Sequence, residues 1–457
     1  MRDEIRLADI IDDEAAPLQF DDFLAYLPRH EYIFVPTREM WPAKSVDARL
    51  PMRGNLKPSA WLDENRAVMQ LTWAPGEPPL IADKVIDNGG FADKDGSRIF
   101  NSYRSPLDHP RGVPTRDVTT WLDHIEKLYG DLTAHIVHWF AHRVQHPGIK
   151  INHALVLGGE QGIGKDTILE PVRRAVGEWN CASVSPKQAM GRFNKFLKSV
   201  LLVINEGRDL GEFDRFAFYD HLKTIIAAPP PVQWIDEKRL GEYPVPNVTG
   251  VILTTNHKSD GIYLAPDDRR HFVAWSDLTK ADFTDEYWRD VWRWYDEGGY
   301  AAIAHYLATL NLVGFNPKAP PKKTEAFYAI VNTNRSAENA ELADLLDDIR
   351  DEKQKAGKTL DTITLRQLIA KAEASNGRHT KIACWVQDAK TNARRIPHRL
   401  EECGFVPVRN PDADDGLWRI DGRRQAIYAR KSLNEQQRLE AVQRRIEAIK
   451  KAGASAA

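Results

Sequence analysis

Apolar residues follow several rhythms along this chain. From Trp121 to Val144 they recur at helical spacing (Trp121, Ile125, Leu128, Leu132, Ile136, Trp139, Phe140), which predicts a helical segment with one buried face. Between 151 and 300 the rhythm changes. Continuous apolar runs at 154–157, 200–204, 250–255 and 271–275 alternate with helical stretches, as in an α/β sheet whose loops gather along one edge. Before about residue 110, Pro, Gly and Asp breaks separate short runs such as Tyr32–Val35 and Val68–Trp73, which predict a small β-rich or irregular module.

Pro317, Pro320, Pro321 and the Lys322-Lys323 pair mark a linker or domain edge. A polar helical region at 337–356 follows. Helices are then expected over Ile363–Ala374 and Asn392–Cys403, and a hairpin from Gly404–Val408 to Leu417–Ile420. Helix, helix, two strands is winged-helix order. A charged helix from Asn434 to Lys451 ends the pattern, with Ala452–Ala457 expected to fray.

Composition narrows the class. The 457 residues can form two or three domains, and 42% hydrophobic residues can fill ordinary cores. No run has the apolar length to span a bilayer, and Met1-Arg2-Asp3-Glu4 lacks the apolar core of a signal peptide, so no membrane association and a cytoplasmic location are expected. Cys181, Cys384 and Cys403 are scattered and read as reduced packing residues. A net charge of −2 does not announce a nucleic-acid partner, which must be argued from local patches.

The chemistry is concentrated where the first apolar run, Leu155–Leu157, enters Gly158-Gly159-Glu160-Gln161-Gly162-Ile163-Gly164-Lys165-Asp166-Thr167. Gly159, Gly162 and Gly164 let the backbone turn its N–H groups inward, and a helix beginning at Lys165 adds the positive end of its dipole. This is close to the P-loop pattern, in which Lys165 reaches the β- and γ-phosphates of a nucleotide. Asp166 stands where Ser or Thr is usual, and Thr167 follows one residue late. Either Asp166 or Thr167 is then the Mg²⁺ ligand, with Thr167 favoured and Asp166 close by. A carboxylate facing a triphosphate is repelled unless a cation lies between them.

Downstream, the run Val200–Ile204 ends in Asn205-Glu206, 41 residues after Lys165. Glu206 can act as the base that polarises the attacking water, and Asn205 can orient a water near the metal without adding charge. A third run, Val251–Thr255, ends in Asn256, whose amide could hold the same water or the γ-phosphate. Arg269 and Arg270 precede the fourth run. They read either as an arginine supplied across a subunit boundary or as a surface cluster with Asp267 and Asp268.

This ordered set resembles the superfamily 3 helicases of the AAA+ class, in the phage and prophage primase-helicase branch. The likeness covers about residues 120–300 and rests on Gly159–Thr167, Val203–Glu206, Lys223–Lys238, Val251–Asn256 and Asp267–Phe272. It implies an AAA+-like P-loop NTPase core, with Gly159, Glu160, Gln161, Gly162, Ile163, Gly164, Lys165, Asp166 and Thr167 as Walker A. It also makes Glu206 part of Walker B, Asn256 sensor 1, and Arg269 or Arg270 an arginine finger. Asp166 and Asn205 depart from the usual pattern. In such helicases a hairpin lies where Pro231–Gly241 falls, so Lys238 or Arg239 is expected to hold the phosphates of single-stranded or forked DNA. Lys390, Arg394, Arg395, His398 and Arg399 form a second basic cluster, on or beside a predicted helix.

The expected organisation is an N-terminal accessory module (1–115), a P-loop helicase domain (116–315), a winged-helix-like domain (330–432) and a charged C-terminal helix and tail (433–457). The leading function is an ATP- and Mg²⁺-dependent DNA helicase of phage or prophage replication, assembled as a homo-oligomeric ring, a hexamer, and working beside a separate primase or polymerase. Residues 1–110 show no convincing pair of metal-binding carboxylates, so no primer synthesis is expected. The alternatives are a P-loop nucleotide or small-molecule kinase and a non-hydrolysing, ATP-controlled DNA-binding switch.

Overall fold

The structure, a computed structural model, describes residues 17–106, 116–205, 212–238, 240–257, 261–265, 267–357, 359–375, 396–420 and 423–454. Two compact units lie within Met1–Gly207, Asp220–His257 and Arg269–Thr324, and within Arg208–Tyr219, Lys258–Asp268 and Glu325–Ala457. Among the described residues no helix is long and apolar enough to cross a membrane.

A five-stranded sheet organises the first unit, in the order His271–Trp275, Ala154–Gly158, Gly250–Thr255, Leu201–Ile204, Cys181–Val184, with every neighbouring pair parallel. A parallel strand covered on both faces reads as an unbroken apolar run, and Ala154–Gly158 and Leu201–Ile204 are buried at every position. The four expected strands are all present. Cys181–Val184 was not anticipated, because an edge strand with only partly buried side chains carries little apolar signal.

The helical lead-in is two helices, Thr119–Tyr129 and Thr133–Gln145, because Gly130 at φ +54° ends the first. Before them lie two small sheets, as the short alternating runs imply. One orders Glu39–Pro42, Glu31–Phe34, Phe23–Tyr26 and Ala67–Val68; the other orders Gln70–Thr72, Gly90–Asn101 and Leu80–Asp87.

In the second unit the helix expected at 337–356 begins earlier, spanning Glu325–Lys355. Thr362–Thr364 is a strand, and the helix expected from Ile363 starts at Leu365 instead, capped by the Thr364 side chain. The helix expected from Asn392 is described from Ile396 to Glu402. The hairpin expectation is corrected in its pairing: Phe405–Val408 pairs with Ile427–Arg430, and Trp418–Ile420 pairs with Arg423–Gln425. The C-terminal helix runs from Glu435 to Ala454, past the expected fray point at Ala452.

Candidate functional site

The P-loop strand ends at Gly158, and the chain turns through three glycines with positive φ before the helix Lys165–Val176 begins. Gly164, at φ +93°, is doubly constrained: a Cβ there would lie 2.4 Å from His124 Nε2 and 2.5 Å from Trp288 Cη2. The helix start leaves N–H groups without helical acceptors at the loop, an arrangement suited to an anion. Lys165, only 8% exposed, donates to the carbonyls of Gly159 at 2.7 Å and Glu160 at 2.8 Å. It also donates to Asn256 Oδ1 at 2.7 Å. The P-loop strand and the strand Gly250–Thr255 are parallel neighbours, so the structure brings the P-loop lysine and the third-strand amide into contact.

Asn205 ends the next strand over. Its amide donates to Ser183 Oγ at 2.7 Å, and its Oδ1 accepts from Thr254 Oγ1 at 3.4 Å, so its side chain is oriented by both flanking strands. Asp166 is exposed and Thr167 is buried, one after the other in the first helical turn. Glu160 and Gln161 are exposed on the loop, and Ile163 is buried beneath it. Glu206, Arg239, Arg394 and Arg395 lie outside the described residues.

Arg269 and Arg270 do not join this group within the chain. The Arg270 carbonyl accepts from Ala154 N at 2.8 Å, which places the pair where the strands begin, whereas the P-loop follows the strand ends. Arg269 is exposed and Arg270 partly buried. Of their proposed acidic partners, Asp268 accepts the Tyr219 hydroxyl at 2.8 Å.

The segment between the two sheet strands forms the antiparallel hairpin Val232–Glu237 with Gly241–Pro246, and Lys238 is exposed at its turn. Glu237 anchors the base of that turn through Lys195 Nζ at 2.8 Å, Lys198 Nζ at 3.1 Å and the Tyr243 hydroxyl at 2.8 Å. Burial disfavours its charge, but these donors outweigh burial and hold its pKa at about 2. Trp234 is 43% exposed and donates from Nε1 to Asn88 Oδ1 at 2.6 Å. Lys223, in the helix before the hairpin, pairs with Asp220 at 2.6 Å.

The contacts that sequence reasoning missed lie behind the loop. His124 Nε2 is 3.3 Å from the Gly164 carbonyl, while Nδ1 is 2.6 Å from the Tyr287 hydroxyl. Burial lowers the pKa of His124, favouring the neutral ring. With Tyr287 donating to Nδ1, the Nε2–H is free to donate to Gly164. Lys280 lines the turn, its Cδ 3.6 Å from where a Gly162 Cβ would be. His124 does lie within the stretch with helical periodicity, but nothing local indicates which loop it meets.

The Thr167 hydroxyl and the Asp166 carboxylate are oxygen donors of the kind Mg²⁺ accepts. Among the described residues no group of three or more His, Cys, Asp or Glu forms a metal cage, and a hydroxyl or carboxylate from the first helical turn is what such an ion takes from a protein.

A family of unknown function, DUF5906, matches residues 157–270. No curated protein matches the sequence. Among solved structures, the apo C-terminal region of NrS-1 (305–718) is similar with a TM-score of 0.52 and 15% identity, over 86% of this chain and 91% of that one. Its A form gives a TM-score of 0.50 with 16% identity, over 86% and 91%. JCV helicase is a weaker match, at a TM-score of 0.32 and 11% identity over 48% of this chain and 60% of that one. The likeness to the NrS-1 C-terminal region is one of fold.

Proposed function

We propose that this chain is an ATP-driven DNA helicase of the superfamily 3 kind, serving phage or prophage replication. The observation that carries the reading is the 2.7 Å bond between Lys165 Nζ and Asn256 Oδ1, which joins the P-loop to the next strand at the carboxyl edge of a parallel sheet. Ligands of open α/β sheets bind at that edge. Lys165 and the loop N–H groups hold the β- and γ-phosphate oxygens of ATP. Thr167 or Asp166 holds Mg²⁺, while Asn205 orients a water beside it. Glu206 takes the proton of the attacking water, and Asn256 fixes that water or the γ-phosphate. Mg²⁺ held there would neutralise negative charge on the phosphates.

Arg269 or Arg270, at the opposite edge of the sheet, serves the site of a neighbouring copy in a hexameric ring. Their placement supports this, because a strand of five residues spans roughly 16 Å at about 3.3 Å per residue. Lys238, with Arg239, tracks the DNA backbone from the hairpin turn. We further propose the division into modules at 1–115, 116–315, 330–432 and 433–457, with 330–432 a winged-helix-like domain whose Arg394 and Arg395 add a second DNA contact. A separate primase or polymerase and a cytoplasmic setting complete the reading.

The test is ATP hydrolysis by the full chain with Mg²⁺, with and without single-stranded DNA, beside Lys165→Ala and Glu206→Gln. DNA-stimulated turnover lost by at least about 100-fold in both variants is the expected result. Turnover indifferent to DNA points to the kinase, and nucleotide binding without turnover points to the switch.

A further inference from the structure

The P-loop helix Lys165–Val176 contains a proline, Pro171, in its interior. Proline has no N–H, and its ring crowds the carbonyl four residues earlier. That carbonyl belongs to Thr167, a buried residue in the turn that presents the Mg²⁺ donors. A buried carbonyl without a donor is costly, so a partner must come from elsewhere.

Tyr295 supplies it. Its hydroxyl donates to Thr167 O at 2.9 Å across 128 residues of sequence. Tyr295 is 1% exposed, and burial pushes its pKa up, so the hydroxyl keeps its proton. The ring is fixed as well. It stacks on Tyr300 with centroids 4.7 Å apart and planes at 12°, and the Arg174 guanidinium lies 3.6 Å over the far partner. Tyr295 opens the π-helical turn Tyr295–Gly299, where the chain departs from α geometry at Glu297 and Gly298. Two neighbouring carbonyls in the same part of the helix also have outside partners: Gly164 O meets His124 at 3.3 Å, and Ile168 O accepts from Trp121 Nε1 at 3.2 Å. The difference at Thr167 is that the residue four positions on, Pro171, has no N–H to offer.

We infer that Tyr295 is a positioning residue for Mg²⁺–nucleotide binding: its hydroxyl replaces the helical donor that Pro171 removes and so fixes the turn carrying Asp166 and Thr167. This rests on reading Gly159–Thr167 as a nucleotide site. The exchange is specific, because restoring a backbone N–H at position 171 makes the tyrosine hydroxyl redundant.

The experiment is a double-mutant cycle in the full chain: Tyr295→Phe, Pro171→Ala and the two combined. Each protein is titrated with a fluorescent ADP, once with Mg²⁺ and once with EDTA, and its melting midpoint without nucleotide is recorded. Tyr295→Phe is expected to weaken binding with Mg²⁺ about tenfold, the size of one buried hydrogen bond, and to change binding in EDTA by less than about twofold. The combined variant is expected to return to within about twofold of Pro171→Ala. Equal losses with and without Mg²⁺, or a combined variant as weak as Tyr295→Phe, overturn the inference. If Tyr295→Phe does not fold, recovery of a cooperative melt and Mg²⁺-dependent binding in the combined variant supports it, and failure to recover overturns it. Wild-type protein that binds no nucleotide overturns both this inference and the nucleotide reading; wild-type protein that binds Mg²⁺–ADP without hydrolysing ATP removes the motor reading alone.

Discussion

Gly164 shows how far a single residue can be specified by its surroundings. Its backbone at φ +93° is one that side chains rarely adopt, and the space a Cβ needs is taken by His124 and Trp288. Gly162, at φ +88°, has the same backbone demand, but its nearest neighbour is the flexible stem of Lys280 at 3.6 Å. Substituting alanine at the two positions therefore gives unequal effects. Gly164→Ala is expected to weaken fluorescent ADP binding by about 10- to 100-fold, the equivalent of about 1–3 kcal/mol of strain, and Gly162→Ala by less. Equal effects from the two would mean that backbone strain alone governs the loop. The glycine spacing was legible because positive φ is a local demand. His124 was not, since it enters from 40 residues upstream.

At the scale of elements, the hairpin proposed to meet DNA is built onto the N-terminal strands. Val232 shares a buried cluster with Ile81, Ile86 and Ile99, and Thr72 Oγ1 donates to Pro244 O at 2.9 Å in a buried bond. With Trp234 bonded to Asn88, two alternate residues of the strand Val232–Glu237, Val232 and Trp234, are tied to the N-terminal segment on one face of the strand. Stability and the proposed DNA contact thus fall on different residues, the buried cluster beneath the hairpin and the exposed turn. Ile99→Ala is expected to cost about 2–5 kcal/mol in urea unfolding. Lys238→Ala is expected to stay within about 0.5 kcal/mol of wild type while weakening single-stranded DNA binding and its salt dependence. A Lys238→Ala protein that binds DNA normally at every salt concentration would remove the hairpin turn from the interface. The sequence placed a hairpin here through the resemblance; its support by residues 70–101 depends on contacts that no local pattern encodes.

For the whole molecule, the helix Thr133–Gln145 and its surroundings set a pH limit. His135 Nε2 lies 3.0 Å from His153 Nε2, and the His135 ring stacks on Phe272 at 4.0 Å. Two ring nitrogens at that distance share one proton. Burial lowers the pKa of His135 to about 4 and those of His142 and His153 to about 3, from an ordinary 6.5, with the Arg143 guanidinium adding to it at His142 and neighbouring histidines at the other two. These folded-state values lie below the unfolded ones, so the unfolded chain takes up the protons first. The contribution is complete above pH 6.5 and is lost as pH falls toward about 4 for His135 and about 3 for His142 and His153, at up to about 1.4 kcal/mol per pH unit for each histidine. Urea midpoints measured from pH 7.5 to 4.5 are expected to fall below about pH 6.5. A flat profile across that range would mean that the three rings are not held neutral in the fold.

The sequence by itself determined the four apolar strands of the central sheet, the glycine loop with its lysine, and the helical character of the lead-in but not its break at Gly130. Each is a local pattern: an unbroken apolar run where both faces are covered, a glycine where φ is positive, a 3.6-residue repeat where one face is buried. Tertiary structure decided what these patterns meet. The order of parallel strands brings Asn256 to Lys165 and leaves Arg269 and Arg270 at the far edge. Phe405–Val408 pairs with Ile427–Arg430 rather than with its nearest successor, and Cys181–Val184 is a strand because a sheet edge accepts it. Pro171 stands in plain view in the sequence, but the hydroxyl that answers it comes from Tyr295. A missing hydrogen bond is a local fact; its replacement is found only in three dimensions.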